Sequence, residues 1–144
     1  MKNILVIHGL NHDKMGKEAN SPHPVTMEHL NELMDQKAAE LGLCVTYFQN
    51  NDHIAVAERI RSAKAEGFEA IVFQPAKWMF MKEEGHILAA ALRDAGIPTL
   101  EIHISNICTA DTVLNVIGPA VTCLLSGFGN EVYPMALDVL ARWF

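Results

Sequence analysis

A chain of 144 residues is long enough to bury a substantial core yet short for two domains of ordinary size, so one domain with one site is expected over 1–144. Eleven Lys and Arg against 17 Asp and Glu leave a formal charge of −6, which disfavours a nucleic-acid partner because no surplus of cations is available to displace phosphate counterions. With 50% hydrophobic and 19% charged residues, the balance is that of a folded chain and excludes disorder.

No apolar run approaches the ~20 residues that cross a bilayer, and MKNILVIHGLNHD turns polar too soon for a signal sequence. A cytoplasmic protein without a membrane partner is therefore expected. Cys44, Cys108 and Cys123 are odd in number and widely spaced, with no CxxC pair and no zinc-ligand pattern, so they are expected to be buried thiols and no metal is called for.

Residues 3–7, NILVI, form a continuous apolar run closed by Gly9, the pattern of a strand buried on both faces of a parallel sheet. Gly9 to Val25 is a seventeen-residue stretch with two glycines, two prolines and no periodicity; so long a connection in a small domain is usually functional, and a lid is expected there. Thr26 then caps a helix with Met27, Leu30, Leu33, Met34 and Leu41 at helical spacing, ending near Gly42. CVTYF (44–48) is the second strand, and Asp52 caps a helix with an Ile54, Ala57, Ile60, Ala63 stripe, stopped by Gly67.

The rhythm continues with a third strand over 70–73, a helix over about 83–95 and a fourth strand over 99–103. A fifth strand is expected over 120–125, before SGFGNE turns the chain into a last helix bearing Tyr133, Leu137, Leu140 and Phe144. Strands alternating with helices predict an α/β doubly wound sheet of five parallel strands with helices on both faces. Ligands bind such sheets beyond the carboxyl ends of the strands, where the winding reverses. In a flavodoxin-like order of 2-1-3-4-5, three segments converge there: His8 to Asn11, Gln74 to Lys77 and His103 to Asn106.

The last segment holds the most chemistry. In EIHISN the two-residue spacing points Glu101 and His103 to one face, so the carboxylate orients the imidazole and favours its charged form. An imidazole so placed is a general acid or base near neutral pH, although satisfying a buried hydrogen bond at a strand end is a second reading of the same pair. Ser105 and the N–H groups of Ile104 and Ser105 are candidates for holding an anion or a carbonyl oxygen, or simply form a strand-to-loop turn.

Five pieces in order, HGxN at 8–11, TxEHLNEL at 26–33, FQNN at 48–51, IPxxEIHISN at 97–106 and GFGxxxYxxAL at 127–137, together resemble the type II 3-dehydroquinate dehydratases over nearly the whole chain. The resemblance implies a flavodoxin-type domain, self-association as a trimer or a dodecamer of four trimers, no cofactor and no metal. It implies removal of water from a small cyclic keto substrate: a base takes a proton beside the carbonyl, an enolate forms, and an acid protonates the departing hydroxyl. By the same resemblance His103 matches the general acid and Glu101 the carboxylate holding it. Asn11 matches an asparagine that positions a water, and Ile104 and Ser105 match the segment receiving the substrate carboxylate.

Departures from the family pattern lie around this acid half. Where the family reads approximately GPNLNLLGTREPxxYG, supplying an arginine and a basic tyrosine, this chain has GLNHDKMGKEANSPHPV, with neither residue. After strand three Gln74 replaces an asparagine, Phe80 replaces a substrate-contacting histidine, and 107–118 lacks the family's further arginines and histidines. Three expectations follow. The chain is a lyase on 3-dehydroquinate, with Lys14 or Lys17 standing in for the lost guanidinium; it is a lyase on a less anionic cyclic keto or hydroxy compound; or it is a non-catalytic binding or assembly protein. For a lyase His12, His23, Asp13 and Glu18 are candidate bases, or merely solvated loop residues. Trp78, Met79, Phe80 and Met81 make the pocket apolar or pack in the core or against another subunit, where Val132 and Ala136 are further candidate contacts.

Overall fold

The apolar run NILVIH becomes β1 (Asn3–His8), buried along all but its first residue. In this computed structural model, which describes residues 2–18, 24–108 and 114–144, β1 pairs in parallel with β2 (Cys44–Gln49) on one side and β3 (Ala70–Gln74) on the other. β4 (Thr99–His103) and β5 (Cys123–Ser126) continue the sheet, giving the all-parallel order β2-β1-β3-β4-β5 that the sequence predicts. Parallel neighbours need crossovers, supplied here by α1 (Met27–Leu41), α2 (His53–Ser62) and α3 (Lys82–Ala95), with α4 (Val132–Trp143) after β5.

Strand alternation sorts the core into two layers. Ile4, Val6, Val72, Leu100 and Ile102 pack with Leu30 and Met34 of α1 and Leu137 and Leu140 of α4. Leu5, Ile7, Ile71 and Phe73 face the other way, onto Val56 and Ile60 of α2 and Leu88 and Leu92 of α3. The same parity sets the site: Glu101 and His103 alternate with Leu100 and Ile102 and so face away from α1 and α4, whereas His8 shares the α1 and α4 side with Ile4 and Val6.

Local signals set the helix ends. Thr26 Oγ1 accepts from the His29 N–H at 3.2 Å, Gly42 closes α1 at φ 69°, and the Asp52 carboxylate accepts from the Ile54 N–H at 2.9 Å. Other expectations need correcting. Residues 118–120 form a 3-10 turn, because Pro119 has no N–H and a fixed φ, so β5 starts later than expected, at Cys123. In α2 Val56, not Ile54, joins the stripe; Ile54 sits in the first turn and is exposed. Phe144 is exposed beyond the end of α4, and Val132 and Ala136, expected as subunit contacts, are fully buried against the sheet. Cys44 starts an edge strand and Cys108 follows β4 in a loop; both are exposed, and only Cys123 is partly buried, which pushes its thiol pKa up.

The ends of β1 and β3 meet at Gly9. A Cβ there would lie 2.2 Å from the Gln74 carbonyl oxygen and 2.7 Å from the Pro75 carbonyl carbon, both main-chain atoms that cannot swing aside. Gly9→Ala is therefore expected to destabilise the fold by about 3 kcal/mol in urea unfolding, as overpacking against rigid backbone does; a loss below about 1 kcal/mol would show that the two segments part easily.

Candidate functional site

Beyond the carboxyl ends of β1, β3 and β4, where the winding reverses, lies a cavity of about 590 Å³. All three segments expected to converge reach it: Leu10 and Asn11 after β1, Gln74, Ala76 and Lys77 after β3, and His103, Ile104 and Ser105 after β4. Asn106 does not line it; its Oδ1 accepts from the Cys108 N–H at 3.0 Å.

The centre of the cavity chemistry is the pair on β4. Glu101 is fully buried behind His103, which is 4% exposed and lines the cavity. His103 Nε2 donates to Glu101 Oε2 at 2.5 Å, which fixes the tautomer and leaves Nδ1 as the ring nitrogen for proton exchange with a ligand. The same carboxylate oxygen accepts from Asn115 Nδ2 at 2.6 Å, while Asn115 Oδ1 accepts from the N–H groups of Ile117 and Gly118 at 3.1 and 3.0 Å. Asn115 thereby locks a loop onto the carboxylate. Sequence reasoning passed over it; the available signal was an Asn shortly before Gly-Pro, a turn-forming context that also suits an anchored amide. Glu101 Oε1 has no hydrogen-bond partner among the described residues, so the pair depends on its second oxygen.

The carbonyl oxygens after His103 are held by the glycine turn beyond β5: Gly127 N–H donates to the His103 oxygen at 3.1 Å and Gly129 N–H to the Ile104 oxygen at 2.9 Å. Ser126 Oγ donates to the Ser105 oxygen at 3.1 Å. This fixes the exposed Ser105 at the cavity edge. Gln74 is 7% exposed; its Oε1 accepts from the Ala76 N–H at 2.8 Å, which leaves its amide N–H groups as donors. Asn11 adopts φ 64° and donates its N–H to Asn51 Oδ1 at 2.7 Å, an arrangement suited to Asn in a tight turn.

The long loop contributes a 3-10 turn, His12–Lys14, and places His12, Lys14, Met15 and Glu18 on the cavity. Asp13 does not line it; its Oδ1 accepts from Asn51 Nδ2 at 3.3 Å. Lys17 points elsewhere, pairing with Glu28 at 2.8 Å, so of the two lysines only Lys14 is placed to meet a ligand. His23 lies outside the described residues, as do residues 19–23 of the expected lid altogether. On the β3 side Met79 and Phe80 line the cavity, Phe80 being 47% exposed, whereas Trp78 is buried in the α2 and α3 layer and Met81 packs against it. Only half of that aromatic and methionine cluster shapes the pocket, because the short turn Ala76–Phe80 rolls Trp78 inward.

Beneath the loop His8 is fully buried, its Nε2 donating to Asn31 Oδ1 at 2.6 Å and its ring stacked with Tyr47 and Tyr133 at 6.1 and 5.8 Å. Burial lowers its pKa from the ordinary 6.5, outweighing the Asn31 hydrogen bond. An unfolded His8 thus binds its proton at higher pH than the folded one. Its share of stability is whole above pH 6.5 and is lost as pH falls below that value toward the folded pKa, with a limiting slope of about 1.4 kcal/mol per pH unit. Urea unfolding between about pH 7 and about pH 5 should show wild type losing more stability than His8→Gln; equal losses would mean His8 takes up its proton without strain.

Among the described residues no helix is long and apolar enough to cross a membrane, and no three His, Cys, Asp or Glu side chains are grouped to hold a metal ion. The family model described as Dehydroquinase class II matches residues 2–141. The chain is similar to the 3-dehydroquinate dehydratase of Caldicellulosiruptor bescii, at 36% identity over 97% of each chain. It is also similar to that of Thermus thermophilus, at 31% identity over 96% of this chain and 93% of the other. Among solved structures it resembles the type II dehydroquinase from Propionibacterium acnes with a TM-score of 0.87, at 29% identity over 98% of this chain and 97% of that one. A type II dehydroquinase from Butyrivibrio crossotus gives 0.86, at 26% identity over 96% and 97%. With matches that run from end to end, and with the sheet order and the EIHISN segment placed as the sequence predicts, the chain belongs to the class II dehydroquinase family.

Proposed function

We propose that the protein is a hydro-lyase that eliminates water next to the ketone of a small cyclic substrate, and that this substrate is 3-dehydroquinate, converted to 3-dehydroshikimate. The observation that carries the reading is the Glu101–His103 pair, buried and fixed by Asn115 at the wall of the cavity. Elimination of a β-hydroxyl needs an acid at the leaving oxygen. His103, held by its carboxylate, gives that proton from Nδ1, and Glu101 orients the ring without itself accepting the proton. Asn11 holds a water near the enolate oxygen. Ser105 and the main chain of Ile104 receive the substrate carboxylate, Gln74 donates from its amide, and Phe80 covers the ring from the open side. The domain works in the cytoplasm, without a cofactor, as a trimer or as a dodecamer of trimers.

A second reading has its own support: among the described residues no arginine and no tyrosine lines the cavity, its cations are Lys14 and Lys77, and Leu10, Met15, Met79, Phe80, Ile104 and Ile107 make much of the wall apolar. Such a wall suits a cyclic keto compound with less negative charge, because lysine gives a point charge but no planar fork for a carboxylate. Nuclear magnetic resonance of mixtures with 3-dehydroquinate and with a panel of neutral cyclic β-hydroxy ketones separates the readings. Enone from 3-dehydroquinate upholds the first, enone only from a neutral ketone upholds the second, and binding without any enone leaves a binding protein on the same scaffold.

A further inference from the structure

We propose that Asn115 is a positioning residue of the site: its amide fixes the plane of the Glu101 carboxylate and, through it, the direction in which His103 presents Nδ1 to a ligand. This assignment rests on the hydro-lyase reading and deepens it, since an acid delivers its proton well only along the line to the leaving oxygen. Asn115 is half-buried and does not line the cavity, so it acts through the pair and not on the substrate.

The hydrogen bonds give the amide one orientation. Its Oδ1 accepts from two main-chain donors, the N–H groups of Ile117 and Gly118 at 3.1 and 3.0 Å, and an amide turned over would set its own N–H groups against them. Nδ2 therefore faces Glu101 and donates to Oε2 at 2.6 Å, the oxygen that also accepts from His103 Nε2. Glu101 Oε1 has no hydrogen-bond partner among the described residues, so these two donors supply the polar restraint on the carboxylate. They come from separate parts of the chain, one from β4 and one from the segment that leads into the turn Gly118–Ala120. With His103 alone, carboxylate and ring can swing together about their side-chain bonds while keeping the hydrogen bond between them, and Nδ1 loses its aim. A second donor, fixed elsewhere, sets the carboxylate plane and stops that rotation.

The segment carrying Asn115 is held independently of its amide. Val116 N–H donates to the Met79 oxygen at 2.8 Å, Ile117 is fully buried in the α2 and α3 layer, and Ala120 N–H donates to the Ile117 oxygen at 2.8 Å. Val116 also packs over Gly85 of α3, so closely that a Cβ on that glycine would lie 2.4 Å from Val116 Cγ2. Removing the Asn115 side chain therefore leaves its main chain docked, and the loss falls on the aim of the acid more than on the fold. Misplacing a reacting group by about 1 Å costs on the order of 10²-fold in rate, which sets the scale.

The test measures kcat and KM for enone formation from 3-dehydroquinate or, where that gives none, from the neutral cyclic β-hydroxy ketones, with an unfolding midpoint for every variant. Wild type is compared with Asn115→Ala, with Asn115→Leu, which keeps the size but has no donor, with His103→Gln, and with His103→Gln combined with whichever Asn115 variant folds. Each Asn115 variant is expected to lose about 10 to 10²-fold in kcat with little change in KM. Added to His103→Gln, the same change should cost less than about threefold more, because no acid proton remains to be aimed. Losses that multiply in the double variant, a folded Asn115 variant within about threefold of wild type in kcat, or failure of both Asn115 variants to fold would overturn the assignment while the hydro-lyase reading stands. If wild type forms no enone from any of these compounds, the hydro-lyase reading falls and takes the assignment with it.

Discussion

Replacing His103 by glutamine is expected to slow dehydration about 10² to 10⁴-fold, because the substituted amide keeps polarity and approximate size but supplies no labile proton at the leaving oxygen. Substrate affinity should change little, since the ring meets the hydroxyl most strongly as the C–O bond breaks; a fall in kcat with KM nearly constant is the signature of an interaction made in the transition state. Glu101→Gln should produce a smaller loss of the same kind, because an amide in that place no longer favours the imidazolium although it still fills the space. Steady-state kinetics on the two variants checks both statements. A parallel rise in KM with kcat unchanged would move His103 from proton transfer to ground-state binding.

The second large effect concerns stability. Glu101 is fully buried, and Oε2 receives its hydrogen bonds from His103 and Asn115. His103→Ala removes one of these partners and leaves a carboxylate in the core with a single neutral donor, a change expected to destabilise the fold by about 3–5 kcal/mol. Adding Glu101→Gln to the same chain removes the stranded charge and should recover much of that loss, yet restore no activity. Urea denaturation of the two single variants and the double variant measures the coupling directly. Additive losses would mean that the two side chains do not depend on each other, and the short hydrogen bond between them would then have no energetic consequence.

The readable parts of this chain are those where one local pattern has one structural solution. NILVI between a polar start and Gly9 can bury both faces only as an inner parallel strand, and Thr26 with Gly42 marks both ends of a helix whose apolar residues already face one way. The two-residue period of a strand was enough to bring Glu101 and His103 to one side. Errors arose where tertiary context decides. Ile54 is apolar and well spaced, but in the first turn of α2 it stays exposed and Val56 takes the interior place. Val132 and Ala136 read as a spare face until α4 packs onto the sheet. Asn115 is remote in sequence from Glu101, and only a folded loop shows that its amide completes the site. For the candidate bases the sequence offered four loop residues; the turn at His12–Lys14 carries His12 to the cavity and leaves Asp13 on Asn51.

The most direct measurement is the growth of enone absorbance when purified protein is mixed with 3-dehydroquinate, recorded beside the His103→Gln variant at equal concentration. A steady rise in wild type that falls by about two orders of magnitude or more in the variant is the predicted result. An equal rise in both would contradict the claim that the buried imidazole and carboxylate on β4 drive the loss of water, and none in either would contradict 3-dehydroquinate as the substrate.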